Sequence, residues 1–164
     1  MKLVITGAAG FLGRRLVARL LAKGTLAGGD GRQQPLTDLV LFDMVRPQPP
    51  AAGPGVRIEC RDGDITDASQ ARAIVDESVD GVIHLAAVMS GAAEADFDLG
   101  MKVNLGGTRN VLEACRAGGR RPRLIFTSSL AIYGGEKICD DRTPVTPLNS
   151  YGIQKTICEH LVNE

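Results

Sequence analysis

"KLVITGAAGFLGRRLVARLLAKG", residues Lys2–Gly24, sets a short apolar run, three spaced glycines and an amphipathic pattern side by side. KLVIT (2–6) has the length and content of a buried strand. FLGRRLVARLLAKG (11–24) repeats its apolar residues at helical spacing. Between them Gly7, Gly10 and Gly13 stand at G-x-x-G-x-x-G spacing. In that position Gly7 permits a tight turn out of the strand, Gly10 lets a pyrophosphate approach the backbone, and Gly13 lets the helix pack close to the sheet. The helix start then offers the N–H groups of Phe11, Leu12 and Gly13, with the positive end of the helix dipole, to phosphate oxygens. A plain glycine-rich turn is the competing reading. The strand before the glycines and the helix after them favour a dinucleotide cradle.

Outward from this unit the same alternation repeats. DLVLFD (38–43), VRIECR (56–61), GVIHLAA (81–87) and RLIFTSS (123–129) are strand candidates. Helical patterns fall near 67–77, over 94–117, and from Ser150 to the end. That makes five strands and four helices. Strands without polar alternation are buried on both faces, as in a parallel sheet. The expectation is an α/β fold with a doubly wound parallel sheet of the Rossmann type, in one domain over 1–164. Glycine and proline mark 24–38 and 46–55 as loops, and neither splits the chain.

Composition narrows the function classes. Nineteen basic side chains balance nineteen acidic ones, so no net field draws the chain to nucleic acid or anionic lipid. Aromatic residues are few, which argues against a base-stacking surface. No apolar run approaches the roughly 20 residues of a membrane helix. The apolar start runs straight into the glycine loop, with no signal-peptide pattern, so the chain reads as cytoplasmic. Cys60, Cys115, Cys139 and Cys158 lie too far apart in sequence for a metal-ligand or redox pair, and are expected reduced and mostly buried. No metal is expected.

Asp43 closes the second strand, where a carboxylate accepts hydrogen bonds from ribose hydroxyls and repels a 2′-phosphate. It lies farther past Gly13 than the usual spacing of about 20 residues, and the 24–38 loop accounts for the excess. NAD is therefore favoured over NADP, with Arg46 near enough to soften the repulsion. A solvated strand-end acid is the plain alternative. At the other end of the chain, Tyr151 and Lys155 are an i, i+4 pair on one helix face. A phenol is a poor base near neutral pH, and an ammonium one turn away favours its phenolate. Such a pair takes a proton from a substrate hydroxyl as hydride leaves the carbon. FTSSLAIYGG (126–135), at a strand's carboxyl end, supplies a hydroxyl to hold the substrate oxygen.

Six stretches carry a resemblance: GAAGFLG, GDITD, HLAA, KVNLGGTRNVLEAC, FTSSLAIYG and SYGIQK. With them the chain resembles the extended short-chain dehydrogenases/reductases, the NAD-dependent epimerase/dehydratase family. The resemblance implies NAD as cofactor, Tyr151 as base, Lys155 as its partner, and Ser129, with Ser128 second, as the active-site serine. It places Asp64 and Ile65 beside the adenine, Ala86 and Ala87 along the cofactor path, and Asn104 as a holder of the site and a bound water. Asn104 otherwise reads as an ordinary exposed helix position. HLAAVMSGAAEADFDLGMKVNL, GRQQPLTDLVLFD and TPLNSYGIQKTICE are similar to family members that oxidise the C2 hydroxyl of a four-carbon sugar acid, such as D-erythronate, to the 2-oxo acid. Ser90, with Met89 and Gly91, would then face the substrate, or form a simple connector. A homodimer through the two later helices is also implied.

Two other readings stay open: a nucleotide-sugar epimerase or dehydratase using the same three residues, and a non-catalytic NAD-binding sensor. Three features depart from the family pattern or draw attention. Gly106–Gly107 sits mid-helix, where each glycine costs about 1 kcal/mol against alanine and either weakens the helix or allows close packing. His84, inside an apolar strand, reads as a packed core histidine, and His160 as solvent-facing. Family members also continue past the last helix. A chain truncated there would lack the substrate lobe, leave its fifth strand as an aggregation-prone edge, and be inactive alone.

Overall fold

Five parallel strands form the sheet of the computed structural model, which describes residues 1–29, 31–51, 55–119, 121–135 and 138–163. In chain order the elements are β1 (Lys2–Thr6), α1 (Phe11–Lys23), β2 (Thr25–Ala27), β3 (Gln33–Pro35), β4 (Asp38–Asp43) and β5 (Arg57–Asp62). Then follow α2 (Ala68–Ile74), β6 (Gly81–His84), α3 (Ser90–Ala95), α4 (Phe97–Gly100), a π-helical segment (Met101–Gly107) and α5 (Thr108–Ala117). β7 (Arg123–Phe126), a 3₁₀ turn (Leu130–Tyr133) and α6 (Ser150–Val162) complete the chain. The sheet order is β5-β4-β1-β6-β7. The order reverses beside β1, and all carboxyl ends share one edge. An open α/β sheet binds ligands at that place.

β1 sits at the centre, paired with β4 (Val4↔Val40) and β6 (Val4↔Val82). Its side chains alternate between two cores. Leu3 and Ile5 join Leu39 and Leu41 of β4 against Val17 and Leu20 of α1. Val4 joins Val40, Phe42 and Val82 against Ala71 and Ile74 of α2 and Val111 and Ala114 of α5. The period of two along each strand thus packs helices on both faces.

Four expectations need correction. The stretch 24–38 is not simply a loop: β2 and β3 form an antiparallel ribbon in it, with Thr25 opposite Pro35. Arg123 Nη1 ties that ribbon to the start of β7 by donating to the Ala27 carbonyl at 3.2 Å. The helix expected over 94–117 starts earlier, at Ser90, and breaks at Asp96, whose extended backbone ends α3 while its carboxylate caps α4 through the Leu99 N–H. π-helical turns then precede α5. β5 and β7 are edge strands, half-exposed along their length, so only the three inner strands are covered on both faces. Finally, Cys158 alone is fully buried; the other three cysteines are half-buried. Parts of the expected loops (Asp30, Ala52, Gly53 and Pro54) lie outside the described residues, as does Glu164 at the end of the expected last helix.

Among the described residues no helix is long and apolar enough to cross a membrane. Among them no group of three or more His, Cys, Asp and Glu gathers as a metal cage would require.

Candidate active site

The glycine loop leaves β1 at the sheet's carboxyl edge, and its three glycines do different work. Gly7 has φ +71°, and a Cβ there would lie 2.7 Å from the Ala86 nitrogen. A Cβ on Gly13 would lie 2.6 Å from Ala8 Cα. Both positions are closed to side chains by backbone. A Cβ on Gly10 would meet only the Gly7 carbonyl, at 3.2 Å, so the space above it is open to a ligand. Gly10 is the N-cap of α1, and no side chain caps that end. No acidic residue occupies its first turn, and Phe11 and Leu12 turn their side chains outward. An anion, the pyrophosphate of a dinucleotide included, fits this open, positively polarised helix start.

Asp43, at the end of β4, accepts the Ala9 N–H at Oδ2, 2.9 Å away. The carboxylate expected to bind ribose thereby also braces the glycine loop. Arg46 is drawn off to Asp62, 3.2 Å away. Asp64 follows β5, donating its N–H to Gln70 Oε1 and accepting the Thr66 N–H. Ile65 is buried against Gly107, where a Cβ would come within 2.8 Å of Ile65 Cγ2. The double glycine thus allows close packing at Gly107. Asn110 on α5 clamps this loop by donating to the carbonyls of Ile65 (3.1 Å) and Thr66 (2.9 Å). Sequence reasoning missed Asn110, because its partners are 45 and 44 residues away. Ala86 and Ala87 lie just past β6, half-buried, with the Ala86 N–H on Thr6 Oγ1.

Across the edge stands α6. Asn149 caps it by accepting the Gly152 N–H at 2.7 Å. Glu94 of α3 adds a second cap, accepting the Ser150 hydroxyl (2.7 Å) and the Tyr151 N–H (2.9 Å) on one oxygen. These bonds hold the Glu94 carboxyl below its usual pKa range. Gly152 packs against Ala131 of the 3₁₀ turn, with no room for a Cβ. Tyr151 and Lys155 are both buried on the inward face. Lys155 Nζ donates to the Thr127 carbonyl at 3.0 Å and lies 4.7 Å from the Phe126 ring centre and 5.8 Å from that of Tyr151. Burial lowers the Lys155 pKa. Ser129 caps the 3₁₀ turn through the Ala131 N–H, 3.2 Å from its Oγ, and is half-buried; Ser128 is exposed. Tyr151, Lys155 and the strand end carrying Ser129 therefore meet. Ser90 begins α3 beside the exposed Met89, in the helix whose Glu94 caps α6. His160 is exposed.

Between the two halves runs a buried polar seam. Asn104 is 1 % exposed, not a surface position, and sits in the π-helical segment. Its side chain holds the Val88 backbone on both sides of its Cα: Oδ1 accepts the Val88 N–H (2.8 Å) and Nδ2 donates to the Val88 carbonyl (3.2 Å). Nδ2 also donates to Gln154 Oε1 at 2.8 Å. The Asn104 carbonyl accepts the Thr108 hydroxyl and the Cys158 thiol. His84 bridges Thr6 (Nδ1, 2.6 Å) and Thr108 (Nε2, 3.0 Å). Because Thr108 gives its proton to Asn104, Nε2 must be the donor and Nδ1 the acceptor of the Thr6 hydroxyl. His84 is thus a neutral core histidine, and burial pushes its pKa down to about 3, with the Lys155 charge adding to the effect. Burial also raises the Cys115 thiol to about 11 and pushes the Cys60 and Cys158 thiols up.

The family model described as "NAD dependent epimerase/dehydratase family" matches residues 3–164. The D-erythronate dehydrogenase of Cupriavidus necator is 46 % identical over 166 residues, covering all of this chain and 50 % of that protein. The crystal structure of a nucleoside-diphosphate-sugar epimerase from Agrobacterium tumefaciens matches with a TM-score of 0.86 and 40 % identity, over 98 % of this chain and 47 % of that one. A mutant uronate dehydrogenase from the same organism, complexed with NAD, matches with a TM-score of 0.77 and 31 % identity, over 98 % of this chain and 54 % of that one. The chain spans about half the length of the curated relatives it matches.

Proposed function

The chain belongs to the NAD dependent epimerase/dehydratase family, and from that footing we propose that it acts as an NAD-dependent oxidoreductase, a dehydrogenase of small sugar acids. In this reading residues 1–164 are the dinucleotide-binding unit. Gly7, Gly10 and Gly13 with the N–H groups of Phe11 and Leu12 hold the pyrophosphate, and Asp43 takes the adenosine ribose. Asp64 and Ile65 flank the adenine, Ala86 and Ala87 line the path toward Tyr151 and Lys155, and Asn104 holds the site from behind them. The open helix start above Gly10, the position of Asp43 beside it and the meeting of Tyr151 with Lys155 support this reading.

NAD, when bound, supplies the hydride acceptor. The chain's own residues handle the proton and the substrate oxygen. Ser129 Oγ donates to the C2 oxygen of the acid. Tyr151 Oη takes its hydroxyl proton, and the Lys155 ammonium stabilises the phenolate. Ser90 meets the carboxylate end. The carrying observation is Lys155, buried beside Tyr151 and bonded to the strand end that bears Ser129. Burying an ammonium is costly, and such a cost borne in a cleft marks a functional-site candidate. D-erythronate is the favoured substrate by the Cupriavidus relative's name. The Agrobacterium epimerase supports one alternative, hydride return to a nucleotide sugar. A second copy of the chain is the proposed partner, on the apolar stripe of Ile153, Ile157 and Leu161, exposed at i, i+4, i+8 on α6. Sedimentation as a monomer at micromolar concentration would count against that pairing.

Absorbance at 340 nm tests the activity. Mixed with NAD and a panel of four- and five-carbon aldonic acids, the protein is expected to form NADH with D-erythronate and far less with NADP. Tyr151→Phe is expected to slow the reaction by about 10³-fold. A flat trace in the presence of proven NAD binding would move the reading to the epimerase.

A further inference from the structure

Gln154 lies on α6 between Tyr151 and Lys155, with 0 % exposure. Its Oε1 accepts from Asn104 Nδ2, while its Nε2 is buried without a hydrogen-bond partner. Turning the amide round does not help. Asn104 Nδ2 needs an acceptor there, and Asn104 Oδ1 is committed to the Val88 N–H. A flipped Gln154 would set two donors face to face. The orphaned donor therefore follows from the bond that the amide makes. Nε2 presses on Gly100, where a Cβ would stand 2.6 Å from it, so the neighbouring helix is kept bare to admit this amide. A methionine would fill the same volume with no orphaned polar atom. A residue that lowers stability at the centre of a site is the expected signature of a functional constraint.

We propose that Gln154 is a positioning residue: through Asn104 it holds the Val88 backbone, and with it the loop 85–89, in register with Tyr151 and Lys155. The loop carries Ala86 and Ala87 and leads into Ser90 at the start of α3, and α6 carries the proposed base. Asn104 reaches Val88 with its amide, and Gln154 anchors that amide from the α6 side. This inference rests on the dehydrogenase reading for its kinetic consequence but not for its structural one.

Amide hydrogen exchange and kinetics in Gln154→Met separate the two. In the full chain, Val88 N–H exchange is expected to accelerate at least tenfold, with β1 amides unchanged and Tm equal to or above that of the wild type. With sugar acid and NAD, kcat/KM is expected to fall at least tenfold, mainly through KM for the acid. Gln154→Glu supplies the conservative rescue. A glutamate oxygen accepts from Asn104 Nδ2 whether or not the carboxyl is ionised, so Val88 protection is expected to stay at the wild-type level across pH. Gly100→Ala, which displaces the amide without altering it, is expected to release Val88 in the same way. Unchanged Val88 exchange in Gln154→Met and in Gly100→Ala would overturn the proposal. So would acceleration spread across the sheet with a lower Tm, which marks a packing residue. A wild type inactive on every sugar acid would sink the dehydrogenase reading, while the exchange result would still decide the role of Gln154.

Discussion

Between Thr6 and Gly13 backbone carries the site; between Val88 and Gln154 buried side chains carry it. On the first side, the loop is shaped by what cannot be there. Gly7 and Gly13 abut Ala86 and Ala8, and Gly10 leaves its space to a ligand. The glycine spacing itself is local in sequence, and Ala86 and Asp43 close in on it from afar. On the second side, β6, the π-helical segment and α6 are joined by amides, hydroxyls and an imidazole whose partners are 16 to 78 residues apart. A ligand cradle can be coded by spacing, whereas a hydrogen-bonded seam exists only once the fold brings its members together. The two sides should therefore fail differently when altered.

The largest effect is expected at Gly13. Gly13→Val drives side-chain atoms into the Ala8 backbone, which cannot yield without moving β1 or α1. NAD affinity is expected to fall at least about 100-fold, near 2.7 kcal/mol, with lowered thermal stability. Gly10→Ala sharpens the point. Its Cβ meets only the Gly7 carbonyl, at 3.2 Å, so Tm is expected to hold while NAD binding, read by calorimetry, falls about tenfold or more. Equal losses of Tm in both variants would show that Gly10 too serves packing.

On the seam, His84 gives the next effect. Its folded pKa of about 3 lies below the ordinary 6.5. The unfolded chain therefore binds a proton over that interval that the folded chain refuses. Stability is full above pH 6.5 and declines as pH falls toward 3. Between pH 7 and 5 the loss is about 2 kcal/mol, above the range where Asp38, Asp67, Asp76 and Glu94, all with lowered pKa, begin to contribute. His84→Leu removes this acid limb in urea titrations. It also lowers stability at pH 8 by roughly 2–4 kcal/mol, since Thr6 and Thr108 lose their buried partner. An unchanged slope between pH 7 and 5 in His84→Leu would assign the limb elsewhere.

Legibility in the sequence divides along the same line. The inner strands, the glycine loop and the Tyr151–Lys155 face follow from apolar runs and fixed spacings, and the structure has them at or near the expected residues. The β2–β3 ribbon escaped because three-residue strands rich in Gln and Thr carry no apolar period. The π-helical segment escaped because its seven residues look helical, and only the burial of Asn104 against Val88 marks the wider turn. Gln154 and Asn110 were legible only as polar residues on helices. Asp43 falls between the two sides, being predicted from its place at a strand end yet bonded to Ala9. Asp43→Asn keeps an acceptor for that N–H but loses the charge. NAD affinity is expected to fall about tenfold, near 1.4 kcal/mol, and discrimination against NADP to narrow, in parallel titrations of both cofactors.

The smallest effects come from two adjacent glycines. Gly106 and Gly107 close the π-helical segment, and the sequence offers no reason to treat them differently. The structure does. A Cβ on Gly106 approaches nothing nearer than the Met101 carbonyl at 3.7 Å, whereas one on Gly107 comes within 2.8 Å of Ile65 Cγ2. Gly106→Ala is expected to stabilise the protein by about 0.5–1 kcal/mol, because alanine loses less backbone freedom on folding. Gly107→Ala gains the same entropy but must displace Ile65, which is buried and packed against Val103 and Val111 in one core. A net loss of roughly 1 kcal/mol is expected there, since overpacking typically costs 1–3 kcal/mol. Opposite signs in chemical denaturation would tie Gly107 to the loop beside the proposed adenine site. Equal stabilisation in both would mean that Ile65 repacks freely, and that the close contact of the π-helical segment with that loop is not needed.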